Sequence, residues 1–293
     1  MAKQSCLYPH REMEASTQQR QTCYRHPNRE TGVSCSNCGR PICPDCMTST
    51  PVGMRCPDCA RQTTKVRSGP GAFSATAGKM PATYALIAIN VIVFLVELAG
   101  GGSLGFSGSG SVIQDAGLRG PDVANGDWWR VITGGFLHAG FLHILFNMYV
   151  LYVAGSILEP GIGTPRFLGI YFISLVAGSL GALIVDPNTL TVGASGAIFG
   201  LMAAVIVVAR GRGIDQIAQQ FGIFILLNLF LTFSISGISI GGHIGGLIGG
   251  LVAALLVIFV ERRMSGRPGY VLEIAGILLI FAATFAGALA VAG

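Results

Sequence analysis

Long apolar stretches follow one another through most of this chain, and they constrain its fold more than any other feature. Seven stretches can be traced, at roughly 82–99, 139–158, 165–186, 193–210, 215–234, 239–261 and 269–291. A helix needs about 20 apolar residues to cross the ~30 Å hydrocarbon core of a bilayer, and within lipid its backbone groups must bond inside the segment. We therefore predict an all-α polytopic membrane protein with seven transmembrane helices.

The polar residues are concentrated in the first 80 positions. Of 293 residues, 51% are hydrophobic and 11% are charged, and the mean hydropathy is +0.62, which excludes an ordinary soluble globular protein. Residues 1–80 contain 11 of the 19 Lys and Arg residues, and all eight cysteines lie between Cys6 and Cys59. The chain therefore divides into a polar, cysteine-rich head and an apolar remainder.

This division can be refined into four segments. We predict a head at 1–66 with a zinc-binding module at about 23–60, a flexible linker rich in small residues at 67–81, a six-helix core at 82–261 and a seventh transmembrane helix at 262–293. The first twenty residues contain no apolar run of the length that a signal peptide requires. The head is therefore expected to remain in the cytoplasm.

The basic residues of the connecting loops predict the orientation of the helices. With the head inside, the cytoplasmic helix ends carry Arg166, Arg210, Arg212, Arg262, Arg263 and Arg267, as the positive-inside rule expects. The connections near 187–192 and 235–238 contain no Lys or Arg, whereas the first outer loop, about 100–138, contains Arg119 and Arg130. This topology places the C-terminus outside.

Four polar residues lie close to the predicted outer ends of three helices. His143 and Asn147 are near the start of the second helix, Ser195 is near the start of the fourth and His243 is near the start of the sixth. All three helices run from outside to inside in the predicted topology. The four side chains should therefore lie at a similar depth, a turn or two below the outer surface.

These residue types at one depth are suited to acyl transfer. A serine hydroxyl becomes a nucleophile beside a general base such as histidine. His143 and Asn147 are four residues apart and share a helix face, from which an imidazole and an amide can donate hydrogen bonds to an oxyanion. Gly246 and Gly250 share a face with His243, and small residues allow transmembrane helices to approach closely.

Each of these residues taken alone also has an ordinary structural interpretation. A serine in a glycine-rich helix start is usually a packing residue, and an asparagine such as Asn147 also bridges helices. An ionisable residue within a membrane is rare and usually functional, although His243 could serve only as an interhelical hydrogen-bond partner. The joint occurrence of the residues favours a catalytic site.

Three motifs resemble those of the rhomboid family of intramembrane serine proteases: HAGFLHILFN from His138, GASGAIFG from Gly193 and GGHIGGLIGG from Gly241. The resemblance covers residues 82 to about 261, and the seventh helix is similar to the six-plus-one variant of the family. It implies that Ser195 is the nucleophile and that His243 is the general base of a dyad without a third acid.

The resemblance also implies supporting roles for other residues. It assigns His143, Asn147 and the backbone N–H of Ser195 to an oxyanion hole and His138 to a structural position, and it matches Trp129 and Arg130, in the segment Trp128–Arg130, to the first-loop signature of the family.

The dyad departs from soluble serine proteases and from some family members. Phe199 occupies a position often held by a tyrosine whose ring stacks on the catalytic histidine; phenylalanine keeps that face and lacks the hydroxyl. Glu97, at the outer end of the first helix, and Glu159, at the inner end of the second, are poor candidates for a third acid. Glu159 is expected to brace cytoplasmic helix ends.

The head contains four pairs of metal-ligating residues with two residues between the members of each pair. They are Cys23 with His26, Cys35 with Cys38, Cys43 with Cys46, and Cys56 with Cys59. This spacing suits tetrahedral zinc, and eight ligands fill two sites, while a reducing cytoplasm disfavours disulfides. Because closed four-ligand sites have no open position for chemistry, we expect two structural zinc ions and no cofactor in catalysis.

The sequence leaves the pairing of these ligands open. The short gap between the second and third pairs resembles the cross-brace of B-box and RING fingers, which implies that pairs one and three share one zinc ion and pairs two and four the other. Sequential pairing is the alternative. Cys6 and His10 belong to no pair and are interpreted as unliganded.

We predict that this chain is a serine endopeptidase that cleaves transmembrane segments of membrane proteins near the outer face of the bilayer. A zinc head joined to a rhomboid core resembles actinobacterial members, which implies a bacterial plasma membrane. The alternatives are a catalytically silent membrane chaperone and a membrane-tethered zinc-finger adaptor. The head could dock a cytoplasmic protein; nucleic-acid binding is not expected, because the head has no dense basic stripe.

Overall fold

The computed structural model describes residues 21–50, 53–61, 79–105, 110–264 and 266–293. The chain forms two compact units, Met1–Arg67 and Ser68–Gly293, which we call the head and the membrane unit. Cys6 and His10 lie outside the described residues, so their interpretation stays a prediction.

The head is built from two short antiparallel hairpins and one helical turn. Its elements are β1 (Gln21–Cys23), β2 (His26–Thr31), β3 (Thr48–Thr50), β4 (Gly53–Arg55) and α1 (Pro57–Arg61), with a 3-10 turn at Pro44–Cys46. β1 pairs with β2 and β3 with β4. The apolar interior is small: apart from buried cysteines it contains Ile42, with Tyr24 and Met47 partly buried against it.

The membrane unit is entirely helical within the described residues. Its long helices are α2 (Pro81–Ala99), α6 (Phe141–Ile162), α7 (Thr164–Val185), α8 (Ser195–Gly211), α9 (Asp215–Ser234), α10 (Ile240–Arg263) and α11 (Gly266–Ala292). Between α2 and α6 lie α3 (Ser111–Ala116), α4 (Gly120–Ala124), α5 (Arg130–Thr133) and a 3-10 turn at Gly134–Phe136. The prediction of a mostly helical membrane protein with a cysteine-rich head is confirmed.

Six of these helices are long and apolar enough to cross a membrane; α8 is apolar but shorter. The sequence predicted seven spans, and the fourth of them corresponds to α8. With 17 residues and a rise of 1.5 Å per residue, α8 is about 25 Å long. The helix is short because it begins only at Ser195, after a loop in which Gly193 has φ of 135°.

The helix α10 packs mainly against α7 and α8, and glycines make this packing close. A Cβ atom added at Gly246 would overlap the backbone of Gly196, and one added at Gly250 would overlap the backbone of Gly200. Lipid provides no hydrophobic driving force between helices, so their association depends on such close contact. The prediction that small residues bring the sixth span against the fourth is confirmed.

Two carboxylates hold helices together at the periphery of the membrane unit. Glu159 accepts hydrogen bonds from the backbone N–H groups of Ala82 and Thr83 at the start of α2, and from the hydroxyl of Thr164. It therefore braces helix ends as predicted. Glu273 of α11 is fully buried and forms an ion pair with Arg166 of α7, with Nε and Oε1 2.6 Å apart.

Candidate active site

The structure brings Ser195 and His243 into hydrogen-bond contact. The Oγ atom of Ser195 is 2.8 Å from Nε2 of His243. Ser195 is the first residue of α8, and His243 lies in the first turn of α10, where the side chain of Ser239 caps the helix by accepting from the N–H of Gly242. A serine hydroxyl at this distance from an imidazole nitrogen is the geometry of an activated nucleophile.

The ring of Phe199 stacks on the ring of His243. Their centroids are 4.3 Å apart and their planes are inclined by 22°. Both residues are buried. The stacking fixes the plane of the imidazole without the help of a hydroxyl on the aromatic residue.

A contact that the sequence analysis missed lies on the other side of the imidazole. Oγ1 of Thr232, near the end of α9, is 2.7 Å from Nδ1 of His243. The same hydroxyl donates a hydrogen bond to the backbone oxygen of Asn228 at 2.7 Å. Threonine in an apolar helix is common, so the local pattern around Thr232 contained no signal; only the packing of α9 beside α10 reveals the contact.

His143 and Asn147 lie on α6 beside the loop that precedes Ser195. A Cβ atom added at Gly193 would lie 2.8 Å from Cε1 of His143 and 3.5 Å from Oγ of Ser195, so imidazole and hydroxyl approach the same glycine. Nδ1 of His143 accepts from the N–H of Ala139 at 3.3 Å, which leaves Nε2 as the ring's donor. Nδ2 of Asn147 is buried and has no hydrogen-bond partner within the described part of the chain.

His138 is adjacent to His143 and forms no hydrogen bond with Ser195 within the described part of the chain. Its backbone N–H donates to the carboxylate of Glu97, at 3.1 and 3.3 Å, and its ring stands edge-on to that of His143, with centroids 5.1 Å apart. Glu97 thus ties the end of α2 to the start of the histidine motif. The sequence analysis had excluded Glu97 as an acid, but it did not foresee this role.

Arg130 and Trp129 belong to the loop between α2 and α6. The guanidinium of Arg130 is buried, donates to the backbone oxygens of Gln114 and Gly117 at 2.7 and 3.0 Å, and pairs with Asp127 at 3.0 Å. The ring of Trp129 is 42% exposed. The bonds of Arg130 thus organise the loop.

Asp122 adds a second ionic contact in this loop. Two hydrogen bonds from the guanidinium of Arg119, each 2.9 Å long, together with the charge of Arg130, hold the pKa of Asp122 below its usual value. The loop is also bonded to the segment that precedes Ser195, since Leu118 and Thr191 exchange backbone hydrogen bonds of 3.0 and 2.8 Å.

The head brings its eight ligands together in two groups. One contains Cys23, His26, Cys43 and Cys46, and the other contains Cys35, Cys38, Cys56 and Cys59; within each group all ligand atoms lie within 4.8 Å of one another. This is the cross-brace pattern, with the first pair beside the third and the second beside the fourth.

The distances within these groups fit a tetrahedral zinc ion. A tetrahedron with zinc–sulfur bonds of ~2.3 Å has edges of about 3.8 Å, and an edge between sulfur and nitrogen is about 3.5 Å. Sγ of Cys38 is 3.8 Å from Sγ of Cys56, and Nδ1 of His26 is 3.5 Å from Sγ of Cys46. The head therefore contains two possible four-ligand metal sites.

Comparison with known proteins places this geometry in context. Residues 125–259 match the family described as Rhomboid domain, a range that includes Ser195, His243, His143 and Asn147. The chain is 36% identical over 169 residues to Rhomboid protease GluP of Bacillus subtilis (strain 168). It is 38% identical over 126 residues to Putative rhomboid protease YdcA of the same organism, and 36% identical over 126 residues to Rhomboid-like protease 1 of Toxoplasma gondii.

The matches cover part of each protein. They include 57% of this chain and 32% of GluP, 41% of this chain and 63% of YdcA, and 41% of this chain and 43% of the Toxoplasma protein. The cysteine-rich head lies outside the matched domain. The chain is thus a multi-pass membrane protein in which residues 125–259 are similar to the Rhomboid domain, and it resembles rhomboid proteases over part of its length.

Proposed function

We propose that this protein is an intramembrane serine endopeptidase that cleaves transmembrane segments of membrane proteins. The observation that carries the proposal is the 2.8 Å contact between Oγ of Ser195 and Nε2 of His243. Both side chains come from helices that glycines hold in close contact. Homology to rhomboid proteases supports the same activity.

The reaction follows from the positions of these two groups. Oγ of Ser195 attacks the carbonyl carbon of the scissile peptide bond while its proton passes to Nε2 of His243. The imidazolium then returns that proton to the leaving amine, and the peptide bond breaks to give an acyl-enzyme. A water molecule, deprotonated by the same nitrogen, hydrolyses the ester and restores the serine.

Three donors are available for the oxyanion that forms in each step. Nδ2 of Asn147 is a buried amide group without a hydrogen-bond partner in the described residues, which is costly unless a ligand uses it. His143 points its remaining ring nitrogen toward Gly193, next to the nucleophile. The N–H groups at the start of α8 have no partners within the helix and favour negative charge.

The dyad operates without a carboxylate. Glu97 is bonded to the backbone of His138 and Glu159 to the start of α2, so both of these acids are engaged elsewhere. A carboxylate beside His243 would be expensive to bury in a membrane. Stacking on Phe199 takes over part of the task of orienting the base.

The head takes up two zinc ions in a structural role. Six of its eight ligand side chains are buried, and each group supplies four protein ligands, so a bound ion has no open position for substrate. Zinc would supply folding energy to the head and no step of the peptide cleavage. The head remains free to dock a cytoplasmic protein.

The site determines where cleavage takes place. With the head in the cytoplasm and the C-terminus outside, Ser195 faces the outer side of the bilayer, and substrates are cut near that face. Homologues in Bacillus subtilis are compatible with a bacterial plasma membrane as the location. The substrates are membrane proteins with a transmembrane segment that reaches α8 through the lipid.

The proposal is tested with purified full-length protein and a reporter that has a single transmembrane segment. Wild-type protein should cleave the reporter and should react with a fluorophosphonate probe. Ser195→Ala and His243→Ala should abolish both reactions, because a hydroxyl without its base is a poor nucleophile. Asn147→Ala should lower kcat by about 10²–10³ or less, because it removes one oxyanion donor of several.

Ser156→Ala is the matched control. Within the described residues Ser156 bonds only to the backbone oxygen of Val153 in its own helix, so its loss should leave cleavage unchanged. Undiminished cleavage by Ser195→Ala, with contaminating proteases excluded, would refute the mechanism. A wild-type protein that folds but neither cleaves nor reacts with the probe would favour the membrane chaperone or the zinc-finger adaptor.

A further inference from the structure

Thr232 is the polar side chain that faces the catalytic histidine from α9. It is 2% exposed, and it is one of only four buried residues that α9 contributes, with Ala218, Phe221 and Ile225. Its Oγ1 atom lies 2.7 Å from Nδ1 of His243 and 2.7 Å from the backbone oxygen of Asn228. One hydroxyl therefore bridges the imidazole and the backbone of α9.

The hydroxyl of Thr232 has a single proton, which determines the donor and the acceptor in each of its two hydrogen bonds. Two oxygens 2.7 Å apart need a hydrogen between them, and the carbonyl of Asn228 can only accept. The proton of Thr232 therefore points to Asn228, and Oγ1 presents a lone pair to the imidazole. Consequently Nδ1 of His243 must carry the hydrogen of that contact.

We propose that Thr232 is the positioning residue that holds His243 in the tautomer with a proton on Nδ1 and none on Nε2; this inference rests on the proposed function of the Ser195–His243 pair. A neutral imidazole carries one ring proton. With that proton on Nδ1, the lone pair of Nε2 faces the hydroxyl of Ser195. This is the tautomer that can accept the serine proton.

Stacking on Phe199 does not select this arrangement. A rotation of the imidazole by 180° about the Cβ–Cγ bond keeps the ring in the same plane, so the contact with Phe199 is preserved in both orientations. Only the groups at the ring edge distinguish them. After the rotation Cδ2 and Cε1 would take the places of Nδ1 and Nε2, so the contacts with Thr232 and Ser195 keep the two nitrogens facing the two hydroxyls.

Thr232 thus takes one of the roles that a buried aspartate has in soluble serine proteases, where the carboxylate selects the tautomer of the histidine. A hydroxyl bonded to a helix carbonyl is neutral and is inexpensive to bury in a membrane. When the proton of Ser195 moves to Nε2, the proton on Nδ1 stays in place and continues to donate to Thr232. When Nε2 delivers its proton to the leaving amine, the original tautomer is restored.

The kinetic experiment compares three variants of the full-length protein. Thr232→Val preserves the shape of the side chain and removes the hydroxyl, so part of the population places its proton on Nε2; kcat should fall roughly tenfold or more with KM nearly unchanged. Thr232→Ser restores the hydroxyl and should recover most of kcat. Thr284→Val is the control, because in the part of the chain that the structure describes Thr284 bonds only to Ile280 and Phe281 of its own helix α11.

The second measurement reads the tautomer directly and does not depend on cleavage. In protein labelled with ¹⁵N-histidine, above about pH 8 where imidazole is neutral, Nδ1 of His243 should have the shift of a protonated nitrogen and Nε2 that of an unprotonated one. The signals are assigned by their loss in His243→Ala. In folded Thr232→Val the two shifts should move toward each other.

These outcomes separate the two proposals. A wild-type spectrum with the proton on Nε2, or a Thr232→Val variant with wild-type kcat, would overturn the role of Thr232 even if Thr232→Val destabilised the fold in other respects. A wild-type protein without peptidase activity but with the proton on Nδ1 would refute the proposed function and leave the tautomer assignment intact.

Discussion

The head and the membrane unit are each stabilised by a different kind of contact. Among its described residues the head has Ile42 as the only fully buried large apolar side chain apart from cysteines, and its ligand pairs converge in two groups. The membrane unit is rich in apolar residues but gains little from them as contacts between helices, because lipid is equally apolar. Its central helices instead meet where side chains are absent, as at Gly246 and Gly196.

Hydrophobic burial is therefore limited in the head, whose buried cluster consists of Ile42 and six cysteines, and exclusion of water does not drive the contacts between helices in the membrane unit. A domain with too few residues for a core depends on metal ions, and a helix bundle in lipid depends on close backbone contact and on satisfied polar groups. The two units should therefore respond differently to the same kind of perturbation.

Metal removal is expected to have the largest effect, and only on the head. Binding of structural zinc is worth about 10–16 kcal/mol in small finger domains, so a strong chelator should make the head sensitive to protease while reporter cleavage by the membrane unit continues. Metal analysis should find about two zinc ions per chain, from eight ligands at four per ion.

Cys43→Ala should cause loss of zinc from the group that contains Cys43. Cys6→Ala changes a cysteine outside the four pairs and should leave the zinc content unchanged. Loss of peptidase activity on chelation, with the helices still intact by circular dichroism, would contradict the independence of the two units.

A methyl group added to a glycine should affect the membrane unit more than the head. In Gly246→Ala the new Cβ overlaps the backbone of Gly196, so we expect a loss of about 1–3 kcal/mol in stability and a large loss of activity, because α10 and α8 separate. Gly222→Ala in α9 and Gly32→Ala in the head meet nothing within 4 Å and should be tolerated. Thermal unfolding and reporter cleavage measure the difference; equal behaviour of the three variants would argue against glycine-dependent packing.

Polar contacts should be worth more in the membrane unit than in the head. Glu159→Gln replaces an acceptor oxygen that is surrounded by donors from Ala82, Thr83 and Thr164, and it should cost about 1–3 kcal/mol. The ion pair of Arg29 with Asp45 in the head is exposed to solvent, so Arg29→Ala should change stability much less than Glu159→Gln does. Unfolding in denaturant measures both values, and the reverse order would be inconsistent with this comparison.

The smallest effect concerns pH and the loop between α2 and α6. The pKa of Asp122 is lowered in the folded protein by hydrogen bonds from Arg119 and the charge of Arg130. Its contribution is therefore present above the unfolded pKa of about 3.9 and is lost as the pH falls through the lower folded value. Between about pH 5 and pH 3, wild-type protein should lose slightly more stability than Asp122→Asn, by less than about 1 kcal/mol. The measurement is the free energy of unfolding as a function of pH, and parallel curves for the two proteins would show that Asp122 does not stabilise the loop.

The sequence was most informative where a residue type is restricted by its surroundings. Histidine and asparagine are rare in a membrane span, so His243 and Asn147 stood out, and the topology indicated that they share one depth with Ser195. Glycines at 246 and 250 marked a helix contact, and two-residue spacing marked the zinc ligands. Each of these residue patterns lies within one helix or one ligand pair.

Features that depend on how separate helices pack could not be predicted. Nothing near Thr232 indicates that α9 presents it to His243, and Glu97 was recognised only as a poor acid. The start of α8 was placed two residues too early, because the apolar stretch continues through the loop residues Gly193 and Ala194 while the helix begins at Ser195. These features are set by contacts between distant segments.

The shortness of α8 has a consequence for the surroundings of Ser195. A helix of about 25 Å is roughly one turn short of the ~30 Å hydrocarbon core, and at the surface of a bundle such a mismatch would be met by thinning of the bilayer. Most of α8 is buried among its neighbours, so lipid does not reach the missing turn. The missing length is instead made up by the loop at 187–194, which leads into Ser195 and is bonded through Thr191 to the backbone of Leu118.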